Sequence, residues 1–190
     1  PMNNQEKNTY VRSQILAALL KMMQEQPFSD ISISALVSTA QVGRASFYRN
    51  FMDKEDVLRQ ENDRLTIQWK DTFESESHDE PNAFFVSLLD FYKEHSDFYL
   101  ALYQAGLSEM LLQTLLEHSE ITPELPNALA YLKSSIAYML YGWIVEWMKR
   151  GMPESGTELA KMIAEAQESK IGQQRYSENT PLSQLLVHLH

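Results

Sequence analysis

The seven residues from Arg44 to Asn50 carry side chains suited to contacting a nucleic acid. Arginine can pair with a guanine in the major groove, serine can bond a base or a phosphate, and tyrosine, arginine and asparagine can hold phosphates. The small Ala45 permits a close approach to the groove and is able to contact a thymine methyl group. If the stretch is a helix, the outward-facing candidates for DNA contact are Arg44, Ala45, Ser46, Tyr48, Arg49 and Asn50.

Three short helices are predicted around this stretch. Apolar residues recur at helical spacing over Thr9–Glu25, and Ser32 is a candidate N-cap for a second helix over Ile33–Ala40. Gln41-Val42-Gly43 is a three-residue turn before the third helix, Arg44–Asn50. Two helices joined by such a turn, packed on a preceding helix, are the sequence form of a helix-turn-helix.

The same region carries a pattern typical of one protein family. It reads Ser32-Ile-Ser-Ala-Leu-Val-Ser-Thr-Ala-Gln-Val-Gly-Arg-Ala-Ser-Phe-Tyr-Arg-Asn-Phe51, followed by Asp53-Lys54-Glu55-Asp56-Val57-Leu58. This sequence resembles the signature of the TetR (tetracycline repressor-like) family, and its most specific part is Phe47-Tyr48-x-x-Phe51 followed by Lys54-Glu55. The resemblance implies a transcriptional regulator that binds a palindromic operator in double-stranded DNA as a homodimeric repressor.

The resemblance also implies roles for single residues. Phe47 and Phe51 would pack inside the helix-turn-helix. Phosphate contacts would come from Tyr48, from Lys54, and from Ser32 or Ser34 at the start of the second helix. The residues meeting the groove would be Arg44, Ala45, Ser46 and Arg49.

Two turn residues depart from the family pattern. Gln41 stands where glycine is common, which costs about 1 kcal/mol if the backbone there is left-handed. Gly43 replaces a frequent serine and so removes a helix cap.

Amphipathic helices are predicted along the rest of the chain, and the fold class is all-α. The predicted domains are a helix-turn-helix domain over residues 1–53, a linking helix over about 54–74, and an effector-binding and dimerisation domain over 75–190. After the linking helix, which Asp53 can cap, the predicted helices are Ala83–His95, Asp97–Ala105, Ser108–Glu117, Glu124–Arg150 and Gly156–Glu168.

The C-terminal half resembles the same family more weakly, through Asp97–Gly106 and Tyr138–Pro153. In that family the last two long helices pair with their symmetry mates. The expected dimer-interface residues are Tyr141, Gly142, Ile144, Val145, Met148, Leu159, Met162 and Ile163. The alternative is that these apolar stripes face only their own core.

An aromatic-rich group of residues in this half is a candidate pocket for a small hydrophobic effector. Its members are Phe91, Phe98, Tyr99, Tyr103, Met110, Tyr138 and Trp143. Aromatic residues at helical spacing also form ordinary cores, and some relatives respond to a protein partner instead.

Composition excludes several classes of protein. The chain has no cysteine, no signal region and no apolar run long enough for a membrane span, so we expect a cytoplasmic protein without membrane contact. No metal-ligand spacing, phosphate loop or catalytic motif is present, so we expect no metal, no cofactor and no enzyme activity. The net charge is −10, yet residues 1–52 carry +2 and residues 53–190 carry −12. A DNA-facing end on an acidic body is therefore consistent with the charge.

Other interpretations of the same sequence stay open. The three-helix unit can be core packing with no role in DNA binding. A regulator that binds another protein is favoured by the acidic body and by an apolar C-terminal segment with Leu182, Leu185, Leu186 and Leu189. An enzyme on a helical scaffold has support only from the aromatic residues.

Overall fold

The computed structural model describes residues 4–77 and 82–168, and within these ranges the chain is helical and has no strand. The predicted all-α class is therefore confirmed for the described residues. The elements are α1 (Asn4–Glu25), a 3-10 turn η1 (Phe28–Asp30), α2 (Ile33–Thr39), α3 (Arg44–Asn50), α4 (Lys54–Ser75), α5 (Ala83–Glu94), α6 (Ser96–Gln104), α7 (Glu109–His118), α8 (Asn127–Lys149) and α9 (Gly156–Glu168). No helix among these residues is long and apolar enough to cross a membrane.

Helix α1 is the element on which the N-terminal helices assemble. It packs against α2, α3 and α4, and its side chains Ile15 and Leu19 are completely buried. Leu36 from α2 and Phe47 from α3 are also completely buried. Burying a side chain of this kind contributes about 1.5–3 kcal/mol, so the short helices α2 and α3 are held by this core.

Helix α1 begins at Asn4, earlier than the predicted start at Thr9. Threonine is a residue type that often caps helix starts by accepting hydrogen bonds. The Thr9 hydroxyl instead donates to the Gln5 carbonyl at 3.0 Å, one turn back inside the helix. This bond allows a capping residue type to lie within a helix.

The turn between α2 and α3 contains a residue with a left-handed backbone, at the position where the family pattern commonly has glycine. Gln41 has φ +54°, and the bond from the Val42 amide to the Val37 carbonyl closes the end of α2 around it. Ser32 caps the start of α2 by accepting from the Ala35 amide at 3.1 Å. Gly43 precedes α3 without a side-chain cap, as predicted.

The described residues fall into two compact units. The first lies within Pro1–Ser77 and Glu94–Pro153, and the second lies within His78–Lys93 and Glu154–His190. The first unit therefore contains α6, α7 and α8 together with the helix-turn-helix. The predicted domains divide the chain by function, into a DNA-binding part and an effector-binding and dimerisation part. This division stays a prediction.

In the first unit, α6 packs on α1 and α8, while α7 packs on α4 and α8. The buried side of α8 carries Ala137, Ile144, Trp147 and Met148. These contacts connect the helix-turn-helix to the long helix α8 through packed side chains.

The second unit contains α5 and α9, which approach closely at Gly156. Its amide donates to the Asp90 carboxylate at 2.6 Å, and a Cβ atom at this position would lie 2.5 Å from the Val86 carbonyl oxygen. At the start of α9, the Glu158 amide donates to the Ser155 hydroxyl, and the Ser155 amide donates to the Glu158 carboxylate. Hydrogen bonding of this carboxylate by Ser155 lowers the pKa of Glu158.

The left-handed Gln41 generates a stability prediction. Gln41→Gly removes the steric cost of the left-handed backbone but adds chain entropy to the unfolded state, so we expect a net gain of about 0.5 kcal/mol. The melting temperature should rise by about 1–2 °C in calorimetry. Gln113→Gly, in the exposed middle of α7, is the matched control and should lower it. A lower melting temperature for Gln41→Gly would contradict the assignment of strain.

Candidate nucleic-acid interface

Helix α3 has one buried face and one exposed face. Phe47 lies completely buried, with its ring edge-on to Tyr48 at 5.3 Å and tilted against Phe51 at 5.7 Å. This packing fixes the rotation of α3 about its own axis. The side chains left exposed on the opposite face are Arg44, Ala45, Tyr48 and Arg49.

Arg44 joins α2 to α3 at this exposed face. Its guanidinium donates to the Ser34 hydroxyl at 3.1 Å and lies 5.7 Å from the centre of the Tyr48 ring. The structure thus brings together one residue predicted on α2 and two predicted on α3. A side chain held in this way loses less conformational entropy when it binds a ligand.

Arg49 is held by a bond within α3. Its guanidinium donates to the Ser46 hydroxyl at 2.7 Å, and both residues were predicted to meet the groove. Asn50 is half-buried and its amide donates to the Ser46 carbonyl at 2.8 Å. The Asn50 amide group is therefore used by its own helix, which leaves the side-chain oxygen for other contacts.

Two further predicted residues have partners within the protein. The Ser32 hydroxyl oxygen accepts the capping bond of α2, and its proton stays available for a phosphate. The Lys54 ammonium donates to the carbonyls of Phe28, Ser29 and Ile31. These three carbonyls use the N–H groups of Lys54 in the free chain, and its predicted role as a phosphate ligand stays a prediction.

A polar cluster behind α3 was not anticipated from the sequence. The buried Asp56 carboxylate accepts from the Met52 amide and from the Gln60 amide group, both at 2.9 Å. Gln60 also donates to the Asn50 carbonyl at 3.0 Å and accepts from Arg12 of α1. This cluster attaches the end of α3 to α4 and α1. The Asp53 cap of α4 was the signal nearest to it in the sequence.

Asp63 of α4 has the carboxylate of Glu117 from α7 near it. Burial raises the pKa of Asp63, and the neighbouring carboxylate of Glu117 raises it further, although the Arg59 guanidinium opposes this change. Helix α4 carries six acidic and four basic residues, whereas α3 carries two arginines and no acidic residue.

The structure places some residues of the predicted dimer interface inside their own unit. Ile144 and Met148 are buried in their own unit, and the Tyr141 hydroxyl lies 3.2 Å from that of Ser108. These residues face inward because α6 and α7 pack on that side of α8. Val145, Leu159 and Ile163 are half-buried, whereas Gly142 and Met162 are exposed.

The exposed side of α8 is apolar along about four turns. Large side chains with 42–69% of their surface exposed are Leu129, Tyr131, Leu132, Ile136, Tyr138 and Met139. Lys133 is the one charged residue of the Ala128–Gly142 segment, and it is half-buried and donates to the Ser119 carbonyl at 2.9 Å. We call this side, from Ala128 to Gly142, the α8 face.

The predicted effector pocket is also changed by the structure. Tyr138 is 55% exposed on the α8 face and so does not line an interior pocket. Phe98 and Tyr99 are buried and pack edge-on at 5.1 Å, as core residues do. The predicted members that are half-buried are Phe91, Tyr103, Met110 and Trp143.

A recess of about 280 Å³ lies elsewhere, between α1 and α4. Arg12, Leu16, Gln60 and Arg64 contribute to its lining, and none of them belongs to the predicted pocket. The leucines predicted to form an apolar C-terminal segment lie outside the described residues.

Together, α1–α4 define a helix-turn-helix unit of the kind found in transcriptional regulators. Residues 15–60 match the family described as "Bacterial regulatory proteins, tetR family", and residues 79–169 match "Transcriptional regulator C-terminal region". The two matches cover more than two thirds of the chain, which belongs to the TetR family of transcriptional regulators. Members of this family are DNA-binding transcription factors and not enzymes.

One similar solved structure is a putative TetR-family transcriptional regulator from Syntrophomonas wolfei str. Goettingen. It is 16% identical in sequence, with a TM-score of 0.60 over 82% of this chain and 92% of that one. At this identity the likeness shows a shared fold. No curated protein matches the sequence closely enough to count as a relative.

Proposed function

We propose that this chain is a homodimeric repressor that binds a palindromic operator through α2 and α3. The observation that carries the proposal is the orientation of α3, in which the buried Phe47 leaves Arg44, Tyr48 and Arg49 exposed together. Residues at the start of a recognition helix contact base edges in the major groove. Arg44 is the first residue of α3 and is suited to that contact.

Phosphate contacts are proposed for the exposed polar residues around this face. The resemblance to the family implies that the Tyr48 hydroxyl donates a hydrogen bond to a phosphate. Ser32 and Ser34 lie at the start of α2, where the resemblance implies a second phosphate contact. Backbone amides in the first turn of a helix also attract anions. Arg49 is within reach of either a base or a phosphate, because its side chain lies along the exposed side of α3.

Dimerisation is proposed through the α8 face. Three small residues are spaced seven residues apart along the α8 face, namely Ala128, Ser135 and Gly142. A Cβ atom at Gly142 would meet no atom within 4 Å, so this part of α8 is open to a neighbour. Small residues at heptad spacing, flanked by Tyr131, Leu132, Tyr138 and Met139, suit close packing against a second copy of the helix.

Pairing through the α8 face would determine the spacing of the two DNA-binding helices. The helix-turn-helix and α8 belong to the same compact unit. A two-fold axis at α8 would therefore hold two copies of α3 in a fixed relation, as a palindrome with half-sites about 34–36 Å apart requires. We also propose that the protein acts in the cytoplasm.

Release of the operator by a small apolar effector is the finer part of the proposal. The half-buried Tyr103, Met110 and Trp143 are the predicted pocket members of the first unit that are neither fully buried nor open. A coupling free energy of about 1–3 kcal/mol between effector and operator would suffice for regulation.

Selection from random-sequence DNA tests operator binding. At fixed salt, the native chain should enrich a palindrome, and Tyr48→Ala with Arg49→Ala should bind that DNA at least about 10-fold more weakly. Tyr10→Ala with Arg150→Ala removes exposed residues of the same types outside α2 and α3 and should retain binding. Equal enrichment by the native chain and the Tyr48/Arg49 variant, or none by the native chain, would argue against the proposal.

Sedimentation equilibrium tests the α8 face. Leu132→Glu with Met139→Glu places two charges on it, and we expect the dimer to dissociate at micromolar concentration while circular dichroism stays helical. Ile67→Glu, at a 60% exposed apolar residue of α4, is the control and should leave the dimer intact. A dimer that persists in the Leu132→Glu, Met139→Glu variant would place the interface elsewhere. A native chain that sediments as a monomer would refute the proposed dimer.

A further inference from the structure

The Lys54 ammonium sits among three backbone carbonyls of the connection between α1 and α2. It donates to Ser29 at 3.1 Å, to Ile31 at 2.9 Å, and also to Phe28. The ammonium lies 4.5 Å from the centre of the Phe28 ring, a distance typical of a cation–π contact. We call this arrangement the Lys54 clasp.

The number of donors decides what else this ammonium can do. A lysine has three N–H groups and no acceptor, and each N–H of Lys54 has a carbonyl partner. A phosphate would have to displace at least one of these bonds. The Ile31 carbonyl belongs to a residue that is 2% exposed, and a buried carbonyl left without a partner is costly.

The position of the clasp explains what it holds. Lys54 is the first residue of α4, directly after the connection from α3. Its partners lie 23–26 residues earlier, immediately before the Ser32 cap of α2. The clasp therefore connects the segment that enters the helix-turn-helix with the segment that leaves it.

We infer that Lys54 is a positioning residue of the DNA-binding unit and is not one of its phosphate ligands. The inference rests on the proposed function, because what Lys54 positions is the start of α2 with Ser32 and Ser34. Loss of the clasp would weaken DNA binding by loosening this part of the surface, without removing a charge that pairs with DNA.

Salt dependence separates a positioning lysine from a phosphate ligand. Removing one phosphate ligand from a DNA-binding protein lowers the magnitude of the slope of log K against log [salt] by about 0.9. Lys54→Met keeps the alkyl stem, and we expect a melting temperature lower by several degrees and DNA affinity lower by about 10-fold, with an unchanged slope. Lys70→Met, on an exposed lysine of the same helix, should change none of the three quantities.

Lys54→Arg provides the second comparison, which also applies if the methionine variant folds poorly. A planar guanidinium holds a phosphate at least as well as an ammonium, but it cannot replace a compact ammonium inside a ring of carbonyls. We therefore expect Lys54→Arg to lose stability and affinity as Lys54→Met does. Native affinity and stability in Lys54→Arg would overturn the inference, as would a shallower slope with unchanged stability in Lys54→Met.

Hydrogen exchange without DNA keeps this test separate from that of the proposed function. In Lys54→Met, the backbone amides of residues 31–36 should exchange faster than in the native chain, whether or not any operator is found. If the native chain binds no DNA, the proposed function fails while faster exchange still supports the clasp. Unchanged exchange and melting temperature in Lys54→Met would refute the clasp even if DNA binding is confirmed.

Discussion

The burial of Phe47 against the N-terminal core is the interaction on which the rest of the structure depends. Helix α3 has seven residues, too few to be stable alone, so its existence and its rotation come from packing. With Phe47 completely buried, Arg44, Tyr48 and Arg49 must face outward. The polar cluster of Asp56 and Gln60 then attaches the end of α3 to α4. The exposed face of α3 is thus a consequence of what lies beneath it.

In the rest of the first unit, packing likewise determines which side of α8 is exposed. Its inner side, with Ile144 and Trp147, packs where α6 and α7 cover it, and its outer side presents the α8 face. Continuity of packing from α1 through α6 to α8 means that a partner bound at the α8 face is mechanically connected to the DNA-binding helices. The proposal of a dimeric repressor depends on this continuity and on the apolar side chains of the α8 face.

Local patterns in the sequence predicted the short helices, whereas contacts between distant parts of the chain could not be predicted. The helical pattern predicted α2 and α3 to within a residue, and the family pattern predicted the buried Phe47. It also marked Gln41 as a position where glycine is common, and the structure gives this residue a left-handed backbone. The side of α8 that faces inward could not be predicted, because both sides of that helix are apolar. The carbonyl partners of Lys54 were equally hidden, since backbone groups 23–26 residues away have no sequence signal.

The most direct test of the central claim is the number of chains bound per DNA duplex. Native mass spectrometry of the full chain with its selected DNA should show two chains on one palindrome, with half-site centres about one helical turn apart or a multiple of it. Halving the site should abolish tight binding, because a single recognition helix makes too few contacts. One chain bound to a lone half-site with undiminished affinity would contradict the claim that α8 presents the recognition helices as a pair.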